Sequence, residues 1–217
     1  MVRAIAFDFD GVLVESVEIK TAAFARLFAG EPPELVERIL AYHRAHGGIS
    51  QFEKFRTIYR DILRRPLDEA ASQALGERFA ALVVDALVAA PWVEGAQEFL
   101  AAHRGRYRSF VVSGTPEPEL RAIVQRRAME RYFDEVLGSP APKEALLQGL
   151  LDRHRLRPEE LAFVGDAQTD WLAAQQARIP FIWRVAPDAP PLDGFTGPRI
   201  ASLRHLDRAL AGSVGQN

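Results

Sequence analysis

The chain has 217 residues, 48% hydrophobic and 26% charged, with 27 basic against 29 acidic side chains and a net charge of -2. That balance supports a sizeable apolar core and gives no pull toward nucleic acid. Cysteine is absent, which rules out disulfides, thiolate metal ligands and thiol catalysis and is in keeping with a reducing compartment. No apolar run approaches the roughly 20 residues of a membrane helix, and Ala4–Phe7 is too short for a signal peptide. A soluble cytoplasmic protein is expected, with neither nucleic acid nor membrane as partner.

Val2–Phe9 reads as a buried strand, and the stretch FDFDG places Asp8 and Asp10 two residues apart at its end. Alternate side chains of a strand share a face, so both acids are expected to point at one place, where their like charges need an opposite charge. From Ser16 to Ala90 the period changes. Phe24, Leu27 and Phe28, then Leu35, Val36, Ile39 and Leu40, then Phe52, Phe55, Ile58, Tyr59, Ile62 and Leu63 recur at helical spacing. Ala70–Ala89 reads as one long helix, and Pro32-Pro33, Gly47-Gly48 and Pro66 separate the helices.

After Pro91 helices and strands alternate. The pattern predicts helix Gly95–His103, strand Ser109–Ser113, helix Glu117–Arg127, strand Glu135–Leu137 and helix Lys143–His154. Strand Leu161–Val164, helix Thr169–Ala177 and strand Phe181–Trp183 follow. Alternation of this kind means a parallel sheet covered on both faces. Pro187–Pro198 reads as a surface excursion before a short helix near His205–Leu210. The fold class is α/β, interrupted after its first strand by a helical block.

In open parallel sheets ligands bind beyond the carboxyl ends of the strands, and the polar clusters fall there. One of Asp8 and Asp10 could attack an electrophile while the other moves a proton, with a metal relieving their repulsion. Ser113-Gly114-Thr115-Pro116 opens a helix and offers a hydroxyl and backbone N–H groups to an anion, or simply caps that helix. Lys143 falls in the first turn of a helix behind Pro142, where a cation opposes the helix dipole and calls for an outside partner. Read alone, it is better taken as an exposed lysine. Asp166 and Asp170 follow Gly165 and are either helix-capping acids or hard oxygen ligands of the sort magnesium takes.

Taken together, FDFDGVLVES, VVSGT, Lys143 and VGDAQTD resemble the four motifs of the haloacid dehalogenase superfamily, across nearly the whole chain. The pattern is most similar to its phosphoglycolate phosphatase and β-phosphoglucomutase relatives. The resemblance implies a Rossmann-like parallel-sheet core at 1–15 and 91–217 and a subclass I helical cap at 16–90. It implies that Asp8 is the nucleophile, forming an aspartyl-phosphate, and that Asp10 is general acid and then base, with its backbone carbonyl on Mg2+. Ser113 and Lys143, with Gly114 and Thr115 beside them, would bind the substrate phosphate. Asp8, Asp10, Asp166 and Asp170 form the implied metal set. The expected activity is magnesium-dependent hydrolysis of a small phosphorylated metabolite. Dehalogenase relatives lack an acid at the position of Asp10, which favours phosphoryl transfer.

Two departures bear on the substrate. Gln51 stands where mutase-like members offer an arginine, and Lys20 where they offer a histidine. A phosphomutase is therefore the alternative, with an idle binding protein behind it. Lys20, Gln51 and Lys54 are the candidate substrate-binding residues of the cap, and the loop His46–Lys54 is expected to set substrate choice. Phosphonate-cleaving relatives use a cap lysine as a Schiff base, but the plainer expectation for Lys20 and Lys54 is solvation. His43 and His46 read as polar cap surface, Arg121, Arg126, Arg127 and Arg131 as a solvated helix face, and Trp171 and Trp183 as core. Oligomeric state is not legible.

Overall fold

In the computed structural model, which describes residues 1–187, 189 and 191–212, six parallel strands form one sheet in the order β3-β2-β1-β4-β5-β6. They are β1 (Ala4–Phe7), β2 (Arg108–Pro116), β3 (Glu135–Ser139), β4 (Leu161–Gly165), β5 (Phe181–Arg184) and β6 (Arg199–Ile200). Between β1 and β2 the chain makes helices α1 (Val17–Leu27), α2 (Pro33–Ala45), α3 (Gln51–Thr57), α4 (Glu69–Ala89) and α5 (Ala96–Ala102). Helices α6 (Glu117–Arg126), α7 (Lys143–His154) and α8 (Gln168–Ala177) connect successive strands, and α9 (Leu206–Gly212) follows β6. This is the expected Rossmann-like α/β fold.

Side-chain alternation along the strands sends each residue to one of two apolar layers. Ile5, Phe7, Val111, Val164 and Ile182 face one layer, while Ala4, Ala6, Phe110, Val112, Phe163 and Phe181 face the other. The first layer runs without a break into the helical block, where Phe24, Phe55 and Phe79 are fully buried against one another. The block leaves and rejoins the sheet at one place: the Glu15 N–H donates to the Pro91 carbonyl at 3.0 Å and the Val93 N–H to that of Leu13 at 3.0 Å.

Several details depart from the expectations. Arg127 is not solvated. Its guanidinium donates to the carbonyls of Leu87, Val88 and Ala90 at 2.7, 2.8 and 2.7 Å, closing the end of α4, whose last turn has no basic residue of its own. Ile58–Leu63 forms a π-helical turn, whose wider pitch lets Ile58 and Leu63 both face the core. β2 continues past Ser113 to Pro116, with a register shift against β3 between Val112 and Pro116. In the proline-rich segment, of which Asp188 and Pro190 lie outside the described residues, Phe195 packs edge-on against Trp171, Phe181 and Trp183, so this stretch covers the core. Trp183 is buried, as expected, and Trp171 half-buried.

Candidate active site

Strand register brings the chemistry to one line. Phe7 is paired with Val111 on one side and Val164 on the other, so Asp8, Ser113 and Asp166 all lie within two residues of that row. The Asp8 N–H donates to the Val164 carbonyl at 2.9 Å. Gly11 then turns the chain at φ +73°, and a Cβ there would run into the Asp166 carboxylate.

Asp8 is 2% exposed. Its Oδ1 accepts from the Phe9 N–H at 2.7 Å and lies 3.0 Å from Lys143 Nζ. Lys143 also donates to Asp170 Oδ1 at 2.5 Å. The other Asp170 oxygen accepts from the N–H groups of Asp166 and Ala167 at 3.2 and 3.1 Å. Asp170 therefore satisfies both readings of its sequence position, capping α8 with one oxygen and facing the cluster with the other. Lys143 has found the outside partners that its unfavourable helix position called for.

Asp8, Asp166 and Asp170 bring carboxylate oxygens within 4.8 Å of one another. Burial, opposed by Lys143 and aided by Asp170 and Asp10, pushes the Asp8 carboxyl up to about 7. Burial and the neighbouring Asp8 and Asp170 raise Asp166 well above the usual carboxylate range. Burial works against the Lys143 charge, but Asp170 and Asp8 prevail and hold it above its ordinary value. An all-oxygen donor set carrying more negative charge than one ammonium offsets suits a hard divalent cation.

Asp10 does not share that point. Its Oδ1 accepts from the Ser16 hydroxyl at 2.6 Å, and its Oδ2 from Lys20 Nζ at 2.5 Å and the Thr115 hydroxyl at 3.2 Å. Burial favours the neutral acid, yet Lys20 and the Ser16 hydrogen bond outweigh it, and the carboxyl is held below its usual range. Asp8 and Asp10 are electrostatic neighbours, as expected, but they do not share one neutralising charge. After Phe9 the chain leaves extended geometry, and each acid takes its own lysine. Lys20 is no solvated cap lysine, since it bridges Asp10 and the Thr115 hydroxyl at 2.8 Å. Ser113 is bonded to Thr115, its Oγ 3.3 Å from Thr115 Oγ1 and accepting from the Thr115 N–H at 3.2 Å.

The loop before α3 lies over this cluster. Thr169 Oγ1 donates to the Gly47 carbonyl at 2.6 Å, and Ser50 Oγ to Ser139 Oγ at 3.2 Å. Gly48, at φ +80°, has no room for a Cβ against Thr169, Lys143 and Asp170, and its carbonyl crowds Gly114. Gln51 and Lys54 are both buried, as is His43, so the expectation of solvation for Lys54 and His43 is corrected as well. The spacing Phe24, Phe55, Phe79 draws α1, α3 and α4 together and carries these polar residues inward. His46 stays half-buried with its Nδ1 2.8 Å from the Tyr42 carbonyl.

Sequence reasoning missed Ser16, Thr169, His43 as a buried group, and Glu119. Glu119 stands in the first turn of α6, where an acid reads as a helix-dipole residue. Its Oε1 is buried without a hydrogen-bond partner, and burial raises its carboxyl above the usual range, with Lys20, Asp10 and Gln51 as neighbours. A cleft of about 1010 Å³ at the opposite end of the sheet, lined by Arg3, Arg108, Arg131 and Asp134 among others, holds none of the candidate residues.

The model of the haloacid dehalogenase-like hydrolase family matches residues 2–178. A phosphoglycolate phosphatase of Photorhabdus laumondii is 30% identical over 188 residues, covering 83% of this chain and 79% of that protein. Phosphoglycolate phosphatase 1 of Pseudomonas aeruginosa is 28% identical over 205 residues, covering 82% and 67%. Among solved structures, CbbY from Rhodobacter sphaeroides in complex with phosphate superposes with a TM-score of 0.73 at 22% identity, covering 97% of this chain and 100% of that one. A predicted phosphatase from Clostridium acetobutylicum superposes with a TM-score of 0.76 at 15% identity, covering 98% and 99%. At these identities the structural likenesses establish the fold.

Proposed function

The chain belongs to the haloacid dehalogenase-like hydrolase family, and on that premise we propose that it is a magnesium-dependent phosphatase that hydrolyses a small phosphorylated metabolite through an aspartyl-phosphate on Asp8. The observation that carries this reading is the separation of two carboxylates into two electrostatic settings. Asp8 sits beside Lys143 and two further acids, while Asp10 is held ionised by Lys20, Ser16 and Thr115. Two acids in unlike environments supply a nucleophile and a proton carrier from one strand end.

Asp8 attacks phosphorus in line with the leaving oxygen. Lys143, with Ser113 and the N–H groups of Gly114 and Thr115, holds the phosphoryl oxygens. A phosphate dianion arriving beside Asp10 opposes its ionised form and lifts its proton affinity, so that Asp10 can protonate the leaving oxygen. In the second step Asp10, ionised again, takes the proton from the attacking water. Asp166 and Asp170, with Asp8 and the Asp10 backbone carbonyl, would hold Mg2+. When bound, the metal supplies charge neutralisation for the phosphoryl oxygens and the acid cluster.

In this reading the helical block at 16–90 serves as a cap over the core at 1–15 and 91–217. Its loop at Gly47–Gly48 excludes bulk water from the site, and Lys20, Gln51 and Lys54 face the substrate. No helix among the described residues is long and apolar enough to cross a membrane, and a chain without cysteine suits the cytoplasm. Inorganic phosphate release from a panel of phosphorylated metabolites tests the reading. Release should require magnesium and vanish in Asp8→Asn, whereas release that survives chelation would refute it.

A further inference from the structure

Positive charge collects in the cleft at the opposite end of the sheet. The cleft has a volume of about 1010 Å³, and five arginines line it, Arg3, Arg104, Arg106, Arg108 and Arg131, against two carboxylates among the described residues, Asp134 and Asp207. The chain as a whole carries a net charge of -2, so this face opposes the sign of the rest. Its guanidiniums come from three separate stretches. Arg3 precedes β1, Arg104 and Arg106 lie in the loop after α5 with Arg108 opening β2, and Arg131 stands in the turn before β3. Strand pairing brings these stretches together: the Arg108 N–H donates to the Arg3 carbonyl at 3.1 Å, and the Asp134 N–H to that of Ser109 at 2.8 Å.

The acids do not use up these cations. Asp134 accepts from the Ser109 N–H at 3.0 Å as well as from Arg108 at 3.3 Å. Asp207 lies 2.9 Å from His103 Nε2 and only 3.6 Å from Arg106. Arg3 reaches Glu160 at 3.5 Å, a carboxylate already bonded to Arg157. Arg131 donates to the Tyr132 hydroxyl at 3.1 Å, and neither it nor Arg104 has a carboxylate within ion-pair reach among the described residues.

The cleft is also open and partly preorganised. The side chains of Arg3, Arg106 and Arg108 are 65%, 62% and 48% exposed. Arg106 lies over the Tyr107 ring and Arg131 over the Tyr132 ring, each 5.0 Å from the centroid, and an aromatic floor restrains a guanidinium while its N–H edge stays free. Guanidiniums pair with phosphate oxygens two at a time, and a row of them drawn from several strands suits a run of phosphates better than a single one. The volume is that of a small-molecule site.

We propose that this cleft binds a chain of two or more phosphates, as carried by a nucleoside triphosphate or by inorganic tripolyphosphate, at a site separate from the catalytic centre. Arg3 and Arg108 stand at the starts of the two strands that lead to Asp8 and Ser113, so this ligand and the substrate bind at opposite ends of the same strands. The site does not depend on the reaction at Asp8.

The test is calorimetry in chelator with tripolyphosphate, ATP and sulfate at matched ionic strength. Tripolyphosphate should bind at least about tenfold more tightly than sulfate and weaken as salt rises. Arg104→Ala and Arg131→Ala remove no carboxylate's partner, and an unchanged melting midpoint verifies that they fold. Each should weaken tripolyphosphate about 3- to 10-fold, the weight of one partly exposed charge-assisted contact, and leave phosphate release unchanged. Tighter binding of ATP than of tripolyphosphate supports the proposal with a base stacked on the arginine–tyrosine pairs; equal or weaker binding supports it with the phosphates alone recognised. An affinity within twofold of wild type in the double variant, or no preference for tripolyphosphate over sulfate, overturns the proposal. So does single-stranded RNA that binds more tightly than ATP and loses its affinity in the same variants, which would make the cleft a nucleic-acid surface.

Discussion

Replacing Lys143 by methionine keeps the bulk of the side chain and removes the cation seated between Asp8 and Asp170. Its Nζ lies 3.0 Å from one and 2.5 Å from the other, and all three side chains are at least nine-tenths buried. Breaking a buried pair while leaving the opposite charge in place costs about 3–5 kcal/mol. For a chain of this length each kcal/mol moves the unfolding midpoint by about 2–4 °C, so the metal-free variant should melt about 6–20 °C below wild type. The sign of the pH dependence follows from Asp8. Its folded carboxyl stands at about 7 against 3.8 unfolded, so between those values the native state binds more protons and loses stability as pH rises. Without Lys143 the folded value climbs further, and the gap between variant and wild type should widen with pH and close toward acid. Thermal unfolding in chelator across pH, repeated with magnesium, measures this. Magnesium should recover part of the loss by taking the place of the missing charge. A gap that is independent of pH and untouched by magnesium would refute the electrostatic account of the cluster.

Lys20→Met should free the Asp10 carboxyl to rise, because Lys20 is the strongest influence holding it down; the acid limb of the pH profile of kcat, which Asp10 sets as the base of the second step, should move to higher pH. An unmoved limb would mean that Asp10 does not govern it. Lys54→Met should stabilise the protein by about 1–4 kcal/mol at neutral pH, since an uncompensated buried cation is replaced by an apolar group. Lys54 is depressed from 10.5 to about 7 on folding, so the wild type binds fewer protons when native and gains stability as pH rises across that window. The advantage of the variant should shrink over the same range in urea denaturation. A variant less stable than wild type throughout would assign Lys54 a structural role.

How much of this site could be read in the sequence depended on whether a residue's role is set locally. Asp8 and Asp166 follow strand ends, Asp170 stands in the first turn of α8, and Lys143 opens α7 at the position its proline neighbour marks; short-range pattern suffices for all four. The pairing of Asp10 with Lys20 depends on how α1 rises from the loop, and the burial of Lys54 and His43 depends on three phenylalanines from different helices meeting. Period alone does not show which polar residues such a meeting carries inward. Glu119 was hidden in a position that ordinary helix electrostatics already explains. In the fold, β6 has two residues, too few to show alternation, and Phe195 joins the core from a proline-rich stretch that has no period.

The central claim is that Asp8 carries the phosphoryl group. Rapid acid quench of the enzyme during turnover, followed by mass spectrometric mapping of the phosphorylated peptide, tests it most directly. The modification should appear on Asp8, require magnesium, and be absent from Asp8→Asn. A phosphoryl group on any other residue, or multiple turnover by Asp8→Asn with no covalent species, would contradict it.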